Sequence, residues 1–323
     1  MKIAIVGATG LVGESLRDIL CNKLPNATLQ LYGNKSVGQR VQCGNKYTTI
    51  LPVGSILENA PDVAMFMANE TVAKEYVPQL AKRGVICIDN SSYFRMQKDV
   101  PLVVPCINGD KVAKSKIVAN PNCTTIQVAI ALNCLRSLKP YKVTVATYQS
   151  ASGAGKYGLC DLQENRPYGK LKAFAHPIAN NVIPLVGNVT ESGYSTEEIK
   201  MQNECQKILG MPLAINCFCA RVPVSVGHCA FVNVQMEKPF TIPQVQQLLQ
   251  GESNVLTFFE QYDNLLPMPL GIRGSKYVGV GRVVRDSTSN GINMFVVADN
   301  VLRGASYNAY EILETVLQEE NLS

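Results

Sequence analysis

The chain opens on KIAIV (2–6), a nearly uniform apolar run that breaks at once into GATGLVG. Such a run reads as a parallel strand covered on both faces, followed by a glycine turn and a helix to about Leu20. The pattern recurs in TLQLY (28–32), VAMFMA (63–68), VICID (85–89) and IVAN (117–120). A helical stretch over 70–83 precedes the fourth strand, and NCTTIQVAIALNCLRSL follows the fifth. Strands alternating with helices predict a Rossmann-type doubly wound parallel sheet in an α/β protein.

The periodicity then changes. KVTVATYQS (142–150), HCAFVNVQME (228–237), YVGVGRVVRD (277–286) and NMFVVAD (293–299) alternate or run apolar in short strands. Alternation suits a mixed, largely antiparallel sheet with one covered face, so the second half predicts an α+β domain. SYNAYEILETVLQEE is amphipathic at helical spacing and is expected to return to the first domain. The expected division is 1–122 with 302–323, and 123–301. There is no internal repeat and no low-complexity linker.

Composition narrows the function classes. Of the 323 residues 46% are hydrophobic and 17% charged, which excludes a disordered chain. The net charge of +5 is unclustered, and no basic run points to nucleic acid. No apolar stretch reaches the ~18 residues of a membrane span. The N-terminus lacks a signal-peptide pattern, so a cytoplasmic protein is expected. Eleven cysteines and only two histidines, with no CxxC, offer no zinc pattern. Most of these thiols are expected to be buried small hydrophobes.

Three stretches carry chemistry. Gly7-Ala-Thr-Gly10-Leu-Val-Gly13 is a GxxGxxG variant placed between a strand and a helix, where backbone N–H groups can approach a pyrophosphate. The bland alternative is a tight turn that merely starts a helix. At the end of the second strand stands Tyr32-Gly-Asn-Lys35-Ser36, with no acid for the ribose hydroxyls. A cation and a hydroxyl there favour the 2′-phosphate of NADP over NAD. A solvated loop lysine is the plain alternative.

The third stretch is Asn120-Pro-Asn122-Cys123-Thr-Thr, with Cys123 at a polar helix start directly after a strand. The helix dipole and N–H groups there are expected to activate a thiol and to hold an oxyanion. A thiolate nucleophile wants a histidine. His176 lies in AFAHPIANN; His228 lies in RVPVSVGH, seven residues after Arg221 and at the start of an alternating strand, and is the better candidate.

Taken together, NSSYFRM with DVPLVVP, ANPNCTT, TYQSASGAG, EEIK, RVPVSVGH and VADNVLRGA resemble the signature blocks of aspartate-semialdehyde dehydrogenases. They stand in the family's order from residue 2 to about 308. ANPNCTT and RVPVxxGH together are specific; GATGLVG alone is not. The resemblance implies Cys123 as nucleophile, His228 as acid/base and Gln149 as the residue orienting the acyl group. It implies Arg221 at the substrate carboxylate, Glu197 at its amine, and Lys200, Arg95 and Asn122 at phosphate. NADP would meet Gly7, Thr9, Gly10, Leu11, Val12, Lys35, Ser36, Ser152, Gly153 and Asn300. Residue chemistry allows plainer readings too: Glu197–Lys200 as a surface ion pair, Arg95 as a loop arginine, Gly153 in a simple turn.

The chain departs from the family's pattern at Cys106, where an acid is common, at Asn69 and Glu70 after the third strand, and at Lys35 in place of arginine. The activity implied is NADPH-dependent reduction of L-4-aspartyl phosphate to L-aspartate 4-semialdehyde through a cysteine thioester. That reaction releases inorganic phosphate and feeds lysine, threonine, methionine and diaminopimelate synthesis. A homodimer is implied as well. N-acetyl-glutamyl-phosphate reductase is the enzyme alternative, against which Glu197 argues by favouring a free amine. A catalytically silent NADP-binding protein is the alternative of another class.

Overall fold

The computed structural model describes residues 1–113, 115–259, 266–288 and 290–319. The chain divides into two compact units, Met1–Pro121 with the segment from Ala305 on, and Asn122–Gly304. The expected helix 306–320 is observed as Tyr307–Glu319; its last residue lies outside the described residues, as do 320–323 of the expected first domain.

The first unit carries strands β1 (Lys2–Val6), β2 (Thr28–Gly33), β3 (Arg40–Cys43), β4 (Lys46–Thr49), β5 (Leu51–Pro52), β6 (Val63–Phe66), β7 (Ile86–Asp89) and β8 (Ile117–Ala119). Six of them form one sheet in the order β5-β2-β1-β6-β7-β8, parallel throughout. The remaining two, β3 and β4, pair as a hairpin. Helices α1 (Leu11–Lys23), α2 (Glu70–Lys82) and α3 (Pro105–Asn108) connect the strands. Ile3 and Ile5 are fully buried, as a central parallel strand requires. Leu16 and Leu20, one turn apart on α1, join them in the core with Ile312, Leu313 and Val316 of the C-terminal helix. Each such side chain contributes about 1.5–3 kcal/mol by leaving water. The third strand stops at Phe66, short of the expected 68, because Asn69 caps α2 by accepting from Val72 N at 3.1 Å. Glu70 accepts a hydrogen bond from the Ser92 hydroxyl.

The second unit opens on α4 (Cys123–Cys134) and holds β9 (Pro140–Gln149), β10 (Ala214–Arg221), β11 (His228–Met236), β12 (Val255–Phe258), β13 (Val278–Arg285) and β14 (Gly291–Ala298). The sheet runs β10-β9-β11-β14-β13-β12; β9–β10 and β12–β13 are parallel, the other pairs antiparallel. Helix α5 (Gly155–Gln163), α6 (Thr196–Leu209), α7 (Ile242–Gln250) and the short α8 (Pro269–Ile272) complete it. Residues 124–132 of α4 are buried on every side, which marks it as a central helix. The sheet has one dry face, with Val143, Val145, Cys217, Cys219, Val232 and Val234 buried. The other face presents Tyr148 (40% exposed) and Phe218 (59% exposed). Beside Tyr148 a groove of about 450 Å³ is lined by Phe231, Met268, Met294 and Phe295.

Candidate active site

Three strand ends and one helix start define the site, all within the second unit. Cys123 is the first residue of α4 and is half-buried. The preceding Asn122 is its N-cap, and Asn122 Oδ1 accepts from Thr124 N (2.9 Å) and Thr125 N (3.3 Å). Asn122 Nδ2 donates to Glu197 Oε1 at 2.8 Å, and Asn122 N to Glu204 Oε2 at 2.7 Å. The cap thus takes two N–H groups that the sequence alone offered to an oxyanion. Gly304 faces the cysteine; a Cβ there would lie 2.9 Å from that of Cys123.

Parallel pairing of β9 with β10 sets Gln149 beside Arg221, each the last residue of its strand. Gln149 Nε2 donates to Glu197 Oε1 at 3.2 Å, and Lys200 Nζ lies 3.6 Å from Glu197 Oε2. Glu197 and Lys200 share a face of α6 because they stand three residues apart. The capping box of Ser195 and Glu198 fixes where that helix begins. Arg221 is 8% exposed, its Nη1 donates to Ser150 O at 2.8 Å, and its guanidinium lies 5.6 Å from the centre of the Phe174 ring. Burial lowers the Arg221 pKa from its usual value, opposed by the negative charges of Glu197 and Cys123. The structure therefore gathers Asn122, Cys123, Gln149, Glu197, Lys200 and Arg221 around one cluster of opposite charges.

His228 begins β11 and is wholly buried. Its Nδ1 accepts from Ser150 N at 3.0 Å and lies 3.0 Å from Ser150 Oγ. No hydrogen-bond partner meets its buried Nε2, a state that costs about 1–3 kcal/mol for a polar group. Burial, and then the charge of Arg221, hold its pKa well below the ordinary value. Gly153 adjoins both residues: a Cβ there would lie 2.5 Å from Arg221 Nη1 and 3.1 Å from His228 Nε2. Asn300 Oδ1 accepts from Ser150 Oγ (3.0 Å), Ser152 Oγ (3.1 Å) and Gly227 N (2.9 Å), so it sits inside this network at 4% exposure. The other histidine, His176, is exposed against the Tyr168 hydroxyl.

The first unit carries the glycine turn. Gly7 has φ of +85°, and a Cβ there would stand 2.5 Å from Met67 O; a Cβ on Gly13 would drive into Gly7 O. These two glycines let the turn lie flat against its neighbours, while Gly10 is exposed. No side chain caps α1, so the first turn at Leu11 and Val12 is suited to a pyrophosphate. Thr9 Oγ1 and Ser36 Oγ lie 3.0 Å apart, which joins the glycine turn to the end of β2, and Lys35 beside them is exposed. These residues fit a dinucleotide. Arg95 is 7% exposed and donates from Nε to Asn120 O (3.0 Å) and from Nη2 to Asn90 O (2.8 Å). Among the described residues no three His, Cys, Asp or Glu side chains gather as a metal site, and no helix is long and apolar enough to cross a membrane.

Cys87, Cys205, Cys217, Cys219 and Cys229 are buried, and Cys21, Cys43, Cys106, Cys134 and Cys160 half-buried. Burial pushes the Cys87 and Cys229 thiols up to about 12, which keeps them neutral and inert. Three residues escaped sequence reasoning. Ser150 stands in the quoted TYQS and Glu204 on the helix after EEIK, but their partners are 78 and 82 positions away. Phe174 lies in AFAHP, where attention falls on His176.

The chain is similar to known proteins over nearly its whole length. Residues 2–115 match the family described as "Semialdehyde dehydrogenase, NAD binding domain" and residues 132–303 "Semialdehyde dehydrogenase, dimerisation domain". An aspartate-semialdehyde dehydrogenase of Aquifex aeolicus is 37% identical, over 98% of each chain. One from Campylobacter jejuni is 36% identical, over 99% of this chain and 98% of the relative. The crystal structure of aspartate semialdehyde dehydrogenase II from Vibrio cholerae, complexed with ASA, superposes with a TM-score of 0.94 at 35% identity, covering 98% of both chains.

Proposed function

This chain belongs to the aspartate-semialdehyde dehydrogenase family, and on that premise we propose that it reduces L-4-aspartyl phosphate to L-aspartate 4-semialdehyde with NADPH. The observation that carries the reading is the cluster at the ends of β9 and β10. There a buried arginine, a buried carboxylate and a glutamine amide meet beside a cysteine at a capped helix start. An α-amino acid brings a carboxylate and an ammonium. Arg221 would take the first in a bidentate pair and Glu197 the second.

Cys123 would attack the acyl carbon, oriented by Gln149, and displace phosphate to leave a thioester. Lys200 and Arg95, with Asn122, would receive the phosphate. His228 would act at the acyl oxygen. A bound reduced nicotinamide supplies the hydride that converts the thioester to the aldehyde. The first unit's residues would hold that dinucleotide: Gly7, Thr9, Gly10, Leu11 and Val12 at the pyrophosphate, Lys35 and Ser36 at the 2′-phosphate. Lys35 supports NADP because no acid stands at the end of β2. Ser152, Gly153 and Asn300 complete the proposed cofactor contacts.

The half-exposed aromatic face of the second sheet supports a homodimer. A place in lysine, threonine, methionine and diaminopimelate synthesis, in the cytoplasm, goes with the substrate. The test is NADP reduction by purified protein with L-aspartate 4-semialdehyde and phosphate. A signal that requires both is expected. A signal with N-acetyl-glutamate semialdehyde but not with the free amine would overturn the substrate.

A further inference from the structure

We propose that Phe174 is a specificity-determining residue that shields the Arg221 guanidinium from water, and that Asp161 is the positioning residue that holds Phe174 in place. The proposal rests on the carboxylate-binding role given to Arg221 above and names what makes that arginine selective.

Arg221 is fixed at several points. Its backbone exchanges two hydrogen bonds with Ile183: Arg221 N donates to Ile183 O at 2.8 Å, and Ile183 N to Arg221 O at 3.0 Å. Its Nη1 donates to Ser150 O, and Gly153 closes on the same nitrogen. The guanidinium stands over the Phe174 ring, 5.6 Å from its centre. A guanidinium donates in its own plane, so a ring over its face leaves the edges open to a carboxylate. The ring attracts the cation and keeps water from one face. A charge pair in such a dry setting is stronger than the same pair in water. A neutral ester or amide in place of the carboxylate gains much less from it.

Phe174 lies outside regular structure. Residues 164–182 run between α5 and Ile183 without helix or strand, and Ala173 and Ala175 beside the ring are exposed. A surface loop needs an anchor to keep an aromatic ring on one cation. That anchor is Asp161 of α5, which is fully buried. Lys172 N donates to both Asp161 oxygens at 3.0 Å, Ala173 N to Oδ2 at 2.8 Å, and Phe174 N to Oδ2 at 3.3 Å. Arg166 Nε lies 3.8 Å from Asp161 Oδ1. Three successive N–H groups turned toward one point form an anion cradle, filled here by a carboxylate of the same chain. The last of the three belongs to Phe174, so Asp161 grips the backbone that carries the ring. Gly158 stands three residues earlier, on the same face of α5. A Cβ there would lie 3.1 Å from Phe174 Cζ and would drive into Ala151 O. Helix α5 therefore meets Phe174 at both ends, with a carboxylate at the amide and a bare glycine at the ring tip.

Kinetics with L-aspartate 4-semialdehyde, phosphate and NADP provide the first test. Phe174→Ala should raise KM for the semialdehyde about tenfold, with KM for phosphate and NADP affinity near native. Phe174→Tyr keeps the ring face and should recover most of the loss. The α-methyl ester of the semialdehyde should not share the loss; equal losses with acid and ester would overturn the specificity role. Asp161→Asn should raise the same KM, and should add nothing in a Phe174→Ala background, because it acts through that ring. Asp161→Ser, which opposes no amide N–H to the three donors, is the second variant and should behave alike. Losses that add to those of Phe174→Ala would overturn the positioning role.

Accessibility is measured without turnover. Phenylglyoxal modifies accessible guanidinium groups, and the peptide carrying Arg221 is followed by mass spectrometry. Phe174→Ala and either Asp161 variant should speed its modification severalfold. An unchanged rate in protein with native circular dichroism would overturn the shielding. This labelling needs no substrate, so its outcome is separable from an absent semialdehyde signal, which would instead sink the reaction.

Discussion

Helices α1 and α4 each begin just past a parallel strand, and they treat their first turns in opposite ways. At α1 the cap is Gly10, no side chain reaches back, and glycines flatten the approach. At α4 the cap is Asn122, and three side chains (Asn122, Glu197 and Glu204) organise that start. An uncapped start has backbone donors to give to an anion. A capped start has traded them for rigidity, and what it offers is the side chain at its first position, Cys123. On the proposed function, one start would bind phosphate and the other would aim a nucleophile.

The comparison breaks most visibly at the thiol. Cys123→Ala should reduce turnover by at least ~10⁴-fold while NADP binding, followed by fluorescence or calorimetry, stays near native. Normal turnover with the other ten cysteines present would remove Cys123 from the chemistry.

The uncapped start is tested next, through the loop beside it. Lys35→Asp should weaken NADP by about 2 kcal/mol, some thirtyfold, and NAD far less, because a 2′-phosphate would meet a carboxylate instead of an ammonium. Parallel titrations of the two cofactors measure the difference, and equal weakening of both would mean that Lys35 does not read the phosphate.

The smallest effect belongs to the cap. Asn122→Ala should cost about 1 kcal/mol of stability in urea unfolding. It should also lower kcat, since Glu197 loses a donor. An unchanged unfolding midpoint would show that Thr124 N and Thr125 N do not depend on the Asn122 side chain.

What was legible in the chain follows from how local each signal is. Central strands such as KIAIV and HCAFVNVQM announce themselves because dry faces demand apolar runs. The strands missed were β3 and β4, the two-residue β5, and the sheet-edge strands β10 and β12, whose patterns are blurred by exposed positions. In AINCFCAR the cysteines mark the buried positions, yet Phe218 faces out. That Cys123 begins a helix and His228 a strand could be read from their neighbours. The hydrogen bond that His228 Nδ1 accepts from Ser150 N could not, because that donor stands 78 positions away. The commitment of Asn122 to Glu197 and Glu204 was hidden for the same reason. The plainer alternative for Arg95, a solvated loop arginine, does not hold, because its guanidinium is drawn in by the carbonyls of Asn120 and Asn90.

The parallel pairing of β9 with β10 has a consequence for the order in which the protein is assembled. Two parallel neighbours cannot be joined by a tight turn, so α5, α6 and their connections must close before Arg221 reaches its place beside Gln149. Contacts between distant parts of the chain form only after the entropy of closing the intervening loop has been met. Helix α4 is continuous in sequence and can present its cysteine early. The arginine, the carboxylate and the ordered imidazole arrive only with the finished sheet. Recovery of activity from urea should therefore lag behind recovery of helical circular dichroism.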